Sequence, residues 1–266
     1  MTTAKLYLYP LKGARGLDVA RLSLAKWGPH HDRGWMMVDA AFRFVSLRTH
    51  PQLASLQVWP IANGICMAVP GRGIVSAVEP TTDAPHHEVD LWDDRVLVRE
   101  AREDASSELS RWLSEPVRLV WKGPDRPRLV DPRYANADDH VQLSDGFPLL
   151  VLSEASVSAF AAHVGRPIDA ERFRPNIVLS GARPDEEGEG GRFQVGTARI
   201  HLVKRCKRCS VITRGADGAD VDPRMVKRLA TYRDDADPWM GMNAIIEQPG
   251  VVSVGDRWIP LRPRKA

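Results

Sequence analysis

The sequence is short of cysteine, of aromatic residues and of net charge, and each shortage removes a class of protein. Three cysteines in 266 residues cannot make a disulfide framework and fit a reducing compartment. Aromatic residues are only 7% and do not interleave with the basic segments, so a base-stacking nucleic-acid surface has little to stand on. Thirty-seven basic residues nearly balance 34 acidic ones, leaving a formal charge of +3, too little to argue for nucleic acid. No apolar run approaches the roughly 18 residues of a membrane helix, and Met1-Thr2-Thr3-Ala4-Lys5-Leu6-Tyr7 lacks a signal-peptide core. A cytoplasmic protein with no membrane partner is expected. There is also no GxGxxG after a strand and no GxxxxGK[ST], which leaves nucleotide-binding folds unsupported. What is present, 43% hydrophobic and 27% charged residues, suits a globular chain of one large domain or two ordinary ones.

Short β-rich segments fill the first hundred residues. Lys5 to Pro10, Trp35 to Val38, Phe42 to Leu47, Leu56 to Trp59, Ile65 to Val69, Val89 to Trp92 and Val96 to Val98 read as strands. Turns are expected at Asp39-Ala40-Ala41, Asn63-Gly64 and Asp93-Asp94; Asn and Gly tolerate positive φ. Helices are expected near Ala105 to Ser114, from Ser153 as N-cap, and over about Pro223 to Tyr232, on the spacing of their apolar residues. Further strands are expected at Val117 to Trp121, Asn176 to Leu179, Phe193 to Val195, Arg199 to Val203, Val211 to Thr213, Ala244 to Glu247 and Val251 to Leu261, and Asp185 to Gly191 reads as a surface loop. The Pro-, Arg- and Asp-rich stretch from Lys122 to Asn136 is the best inter-domain connection, and its basic residues could equally line a cleft. The fold class is therefore α+β and strand-dominated, with barrels or sandwiches carrying a few helices.

The most chemically loaded stretch is His201 to Thr213, with Cys206 and Cys209 among Lys204, Arg205, Lys207 and Arg208. Apolar β-branched flanks place both cysteines on a connection between strand ends. Cationic neighbours favour thiolate, the form that attacks electrophiles and binds soft metals. A zinc site would need two more ligands, and Cys66 lies inside a strand with no second pair. A thioredoxin-like dithiol would need a helix start after a strand. Two structural cysteines on a basic surface remain an alternative. Other cationic strand ends are Lys12-Gly13-Ala14-Arg15-Gly16, Asp32-Arg33, Arg48-Thr49-His50 and Arg174-Pro175-Asn176, which suit an anion as a group and are weak singly. His30-His31 and His86-His87 read as surface histidines.

Taken in order, several segments resemble the MOSC proteins, among them the mitochondrial amidoxime-reducing component and bacterial reductases of N-hydroxylated bases. They are Tyr9-Pro10-Leu11-Lys12-Gly13, Asp32 to Val38, Ser144-Asp145-Gly146-Phe147-Pro148 running into Leu152 to Ser156, Phe173-Arg174-Pro175-Asn176-Ile177, Cys206-Lys207-Arg208-Cys209, and Pro249-Gly250 with Val254-Gly255-Asp256. The resemblance implies an N-terminal β-barrel module over residues 1–121 and a β-barrel MOSC domain over 122–266. It implies a molybdenum cofactor, a pterin whose dithiolene holds the metal, with Cys209 as the one protein thiolate. Lys12, Gly13, Arg33 and Arg174 fall at phosphate and pterin positions; Gly146 and Phe147 at backbone contacts; Lys207 and Arg208 beside the ligand; Asn176 and Asn243 at cofactor contacts. Asp145 is a candidate proton relay. The implied activity is reduction of small N-hydroxylated compounds, with electrons from a separate donor protein. A non-catalytic carrier of the cofactor, or of sulfur as a Cys209 persulfide, is the alternative. Two departures stand out. Gly13-Ala14 replaces the family's Ser-Cys, and Val211-Ile212-Thr213-Arg214-Gly215 replaces its Thr-Thr-Val-Asp-Pro, with Asp222-Pro223 arriving late.

Overall fold

The structure is a computed structural model, described over residues 1–92, 94–123, 126–233 and 236–261. Strands dominate, as the α+β reading expects, and three α-helices occur among the described residues. None of these is long and apolar enough to cross a membrane.

The larger sheet has eight strands in the order Leu17–Asp18, Thr2–Leu8, Ile177–Ser180, Leu149–Ser153, Trp239–Gln248, Ala198–Lys207, Gly191–Val195 and Trp258–Pro260. One neighbouring pair is parallel, Leu149–Ser153 with Ile177–Ser180. The helix Glu154–Val164 lies in the crossover that such a pair requires. Ser153 caps this helix as expected, its Oγ accepting from the Ser156 N–H at 3.0 Å. The strand Thr2–Leu8 approaches the far end of the sheet, where Thr2 bridges Arg257 and the Trp258 indole donates to Thr3 Oγ1 at 3.0 Å, so the sheet curls into a barrel-like form. Successive residues of a strand face opposite sides. Val151 joins Leu6, Ile200, Leu202 and Ile246 inside the sheet, while Leu152 packs outward on Phe160, Phe173, Ile212 and Met240. At Gly241 (φ +77°) a Cβ would sit 2.7 Å from the Val151 carbonyl oxygen, so only glycine lets these two strands meet.

The N-terminal module pairs a four-stranded sheet (Trp35–Asp39, Val117–Trp121, Asp94–Glu100, His86–Leu91) with a three-stranded one (Gln57–Ile61, Gly64–Val69, Gly73–Val78). The helix Glu103–Leu113 closes its core, Leu109 packing with Met37, Leu53, Met67 and Leu119. The opening segment crosses between the halves. Thr2–Leu8 pairs with Ile177–Ser180 and Arg21–Ala25 with Gly250–Ser253, whereas Leu11 bridges Trp35 of the N-terminal sheet. Lys12 and Arg33 are thereby carried to the seam.

Several local expectations change. Phe42 to Leu47 is not a strand: only Arg43 and Phe44 make single bridges. The Asp39 carboxylate takes the N–H groups of Ala41 and Arg43, and Ser46 and Thr49 bond each other's backbone, a local alternative to a ladder. Val211 to Thr213 belongs to a 3-10 turn, Ser210–Thr213, while the preceding strand runs on to Lys207. Cys206 therefore lies in a strand, not on a connection. Leu149–Ser153 is a strand buried on both faces, and such an apolar run shows no alternation in the sequence. The Asn63-Gly64 hairpin forms with Ile61 opposite Gly64, which makes Ala62-Asn63 the connecting pair. Glu187, expected on a surface loop, is buried and accepts from the Ser153 N–H at 3.1 Å. Asp93, half of one expected turn, and Pro124 and Asp125 of the expected connection lie outside the described residues.

Candidate active site

A cavity that opens to solvent sits at the seam. Eleven of the twelve expected site residues line it: Cys209, Asp145, Lys12, Gly13, Arg33, Gly146, Phe147, Arg174, Asn176, Arg208 and Asn243. Lys207 does not. It is one residue from Cys206 on the same strand and so points to the other face, where its Nζ pairs with Asp237 at 3.1 Å.

Backbone bonds from both halves aim the cations. Lys12 N–H donates to Trp35 O at 2.8 Å and Arg33 N–H to Tyr9 O at 2.7 Å, while Arg33 O accepts from Leu143 N–H at 3.0 Å. Gly13 (φ +90°) turns the chain directly after Lys12. Arg33 and Arg174 themselves hold positive φ, 45° and 55°, as does Trp92 at 58°. Such backbone costs a non-glycine residue about 1–2 kcal/mol, and its gathering around one cavity is the pattern of a functional site.

Five cationic side chains, Lys12, Arg33, Arg48, Arg174 and Arg208, face one carboxylate, Asp145, in the lining. Lys12 Nζ donates to Asp145 Oδ1 at 2.5 Å, and the Trp92 indole N–H donates to the same oxygen at 3.0 Å. Burial pulls the Lys12 ammonium below its ordinary value, with Asp145 opposing. For Asp145 burial acts upward, but the Lys12 charge and hydrogen bond, the Trp92 bond and the Arg208 charge together hold it below the usual carboxylate range. Its side chain is nonetheless 69% exposed, because it opens on the cavity; the direction follows from the short Lys12 contact. Arg33 is pinned by Asp32 at 2.6 Å, Asn176 Oδ1 at 3.1 Å and Arg174 O at 3.1 Å. Asn176, fully buried, also donates to Asp32 and to Tyr7 O. Arg174 lies over the Tyr9 ring at 4.3 Å and Arg33 over the same ring at 4.2 Å, and burial pushes the Arg174 guanidinium down to about 10, still cationic at neutral pH. The Arg174 guanidinium makes no hydrogen bond or ion pair among the described residues. Arg208 reaches Cys206 Sγ at 2.8 Å and Phe173 O at 2.7 Å, and its Nε is buried without a partner.

Cys209 is exposed and opens the 3-10 turn Ser210–Thr213. Buried Arg172 anchors that turn through Ile212 O at 2.8 Å. The segment that departs from the family pattern leaves as a small loop. Arg214 bridges Val221, Gly215 N–H donates to Asp220 O, and Asp222 N–H returns to Thr213 O at 2.7 Å. Asp222 thus follows Thr213 in space, and Val211 alone of this stretch touches the cavity.

Sequence reasoning did not assign Phe44, Trp92, Cys206 or Arg128 to the site. The first three line the cavity. Arg128, from the Pro- and Arg-rich stretch, binds Asp94 Oδ2 at 2.6 Å and the carbonyls of Gln142, Ser144 and Asp145, so it fixes the Asp145 loop. The density of Arg in that stretch was the available signal. Among the described residues, no three His, Cys, Asp or Glu side chains are grouped to hold a metal. Any metal here would need to bring most of its ligands with it.

Comparison with known proteins follows the same division. A model of the MOSC N-terminal beta barrel domain matches residues 1–117 and one of the MOSC domain matches 138–258. Mitochondrial amidoxime-reducing component 1 of Mus musculus is 28% identical over 96% of this chain and 81% of its own length, and that of Homo sapiens is 26% identical over the same shares. Mitochondrial amidoxime reducing component 2 of Rattus norvegicus is 25% identical, over 96% and 82%. The YUAD protein of Bacillus subtilis, a solved structure, covers 96% of this chain and 92% of its own at 12% identity with a TM-score of 0.43, too loose to carry an argument. The chain is a MOSC-domain protein, homologous along nearly its whole length to the mitochondrial amidoxime-reducing components.

Proposed function

We propose that this protein reduces N-hydroxylated compounds with a molybdenum cofactor seated in the cavity, Cys209 supplying the one protein thiolate on the metal. The observation that carries this reading is that exposed Cys209 lines the same cavity as Arg174, whose guanidinium has no hydrogen bond or ion pair among the described residues. The residues suit the group. A soft sulfur suits a metal already held by sulfur, Arg174 has no ion pair among the described residues, and a buried Arg208 N–H awaits an acceptor. Lys12, Arg33 and Arg174 would hold the phosphate, with Gly13 allowing the backbone close; Gly146, Phe147, Asn176 and Asn243 would border the pterin.

When bound, the cofactor supplies the two-electron redox change that converts an N–OH group to the amine, amidine or imine and water. Two electrons and two protons are consumed for each N–O bond broken. The chain's part is to orient and to exclude. Asp145, kept anionic beside Lys12, is a poor proton donor at neutral pH, so we assign it the holding of Lys12, and the protons enter through the open mouth. The electrons come from a separate donor protein.

Metal analysis of fresh protein should give about one molybdenum per chain. Cys209→Ala should abolish reduction of benzamidoxime, with the melting temperature of its cofactor-free form within about 2 °C of cofactor-free wild type. Normal metal content with no N-hydroxylated compound ever reduced would remove the reaction assignment. The exposure of Cys209 also suits a carrier that delivers cofactor or persulfide sulfur; rapid transfer to an apo-enzyme, without turnover of its own, would favour that reading.

A further inference from the structure

Four of the five cavity cations fall to the cofactor in that reading. Lys12 also pairs with Asp145 and Arg33 with Asp32; Arg208 donates to Cys206 and Phe173 and keeps a buried N–H without a partner; Arg174, whose guanidinium likewise has no hydrogen bond or ion pair among the described residues, lies against buried Tyr9. Arg48 is different. It comes from the N-terminal module and is exposed. Its guanidinium carbon sits over the Trp92 indole, 4.0 Å from the ring centroid. That guanidinium has no hydrogen bond or ion pair among the described residues. Trp92 is fixed in turn, by its N–H bond to Asp145 at 3.0 Å and by edge contact with Phe44 at 5.8 Å. The rim of the cavity therefore carries a planar cation held over an indole, with its donor edge unused. A guanidinium held in this way is pre-organised for two parallel bonds to a carboxylate.

We propose that Arg48 is a substrate-recognition residue, seated by Trp92, and that the preferred substrates are N-hydroxylated compounds that also carry a carboxylate. The inference rests on the reading of the cavity as a reductase site and deepens it by naming the substrate class. Floor and rim divide the labour: buried Lys12 and half-buried Arg33 and Arg174 hold the cofactor's phosphate, and exposed Arg48 meets the far end of the incoming molecule. Trp92 acts through Arg48 as a positioning residue.

The test uses the holoprotein with a reduced viologen dye as electron donor and compares benzamidoxime with 4-carboxybenzamidoxime. The carboxylated compound should have the higher kcat/KM, mainly through KM. In Arg48→Gln the carboxylated-to-neutral ratio should fall about tenfold, with Arg48→Lys intermediate and Trp92→Leu lowering the same ratio. Calorimetric binding of 4-carboxybenzamidine against benzamidine should show the same preference without turnover, weakening as salt rises. Molybdenum and pterin content should be alike in wild type and Arg48→Gln. An unchanged ratio in Arg48→Gln overturns the proposal. So does a fall in its cofactor content, which would put Arg48 on the cofactor's phosphate. If calorimetry shows the carboxylate preference and neither amidoxime is reduced, the recognition site stands and the reductase assignment falls.

Discussion

Replacing Asp145 by Asn separates two roles the carboxylate could have. Its partner Lys12 is buried at 7% exposure, whereas the Asp145 side chain is 69% exposed. Fully exposed ion pairs contribute about 0.2–1 kcal/mol, and breaking a fully buried one costs about 3–5 kcal/mol. A mixed pair falls between them, so Asp145→Asn should cost about 1–2 kcal/mol. For a chain of this size that lowers the melting temperature by about 2–8 °C. In a double-mutant cycle with Lys12→Met the two losses should not add, leaving a coupling of about 1–2 kcal/mol. The pH dependence has a definite sign. The folded-state pKa of Asp145 lies below its ordinary 3.8, so its contribution is fully present above that value and drains away as pH falls from about 4 toward the lower folded value. The gap between wild type and Asp145→Asn should be flat from pH 5 to 8 and close in acid. A carboxyl of pKa 3.8 is protonated at pH 7 in fewer than about one molecule in a thousand, and this one less often. The kcat of Asp145→Asn should therefore fall less than tenfold. Additive losses within about 0.3 kcal/mol, or a hundredfold fall in kcat at unchanged melting temperature, would refute the ion-pair account.

Arg128→Ala removes the bonds to Asp94 and to three carbonyls of the Asp145 loop. It should cost about 3 kcal/mol by denaturant titration and raise KM, and Arg128→Lys should recover only part. Gly13→Ala puts a Cβ on backbone at φ +90° and 3.2 Å from Leu53 Cδ1; a loss of about 1–2 kcal/mol with lowered cofactor content is expected in thermal melts and metal analysis. Cys206→Ser should keep molybdenum bound where Cys209→Ser loses it, as read by metal analysis of the purified variants. Lys207→Ala, which removes a side chain outside the cavity, should change neither metal content nor kcat/KM by more than twofold.

The site was legible in sequence to the extent that its residues sit at strand mouths. Cations beside glycine or proline at such places, as in Lys12-Gly13 and Arg174-Pro175, announce an anion before any contact is known. The order of these segments along the chain carried the family. Local reading failed where alternation was absent or a hydroxyl offered the backbone another partner. Leu149–Ser153 is buried throughout and has no period to read, and Ser46 with Thr49 turns an apparent strand into a loop. It failed at Lys207 for a different reason, since neighbours on an extended strand point to opposite faces and the strand proved longer than expected.

By itself the sequence determined the strand-rich class, the Ser153-capped helix and the set of cations and cysteines from which a cavity could be made. Only the tertiary structure decided that Trp92 and Arg48 of one module line the same cavity as Cys209 of the other, that Asp145 is matched to Lys12 across 133 residues, and that Arg128 holds the loop that carries Asp145. Helix and strand periods are set by residues a few positions apart, whereas a charge chooses its partner by distance in space, and that distance exists only once the opening strand has crossed to pair with the second half.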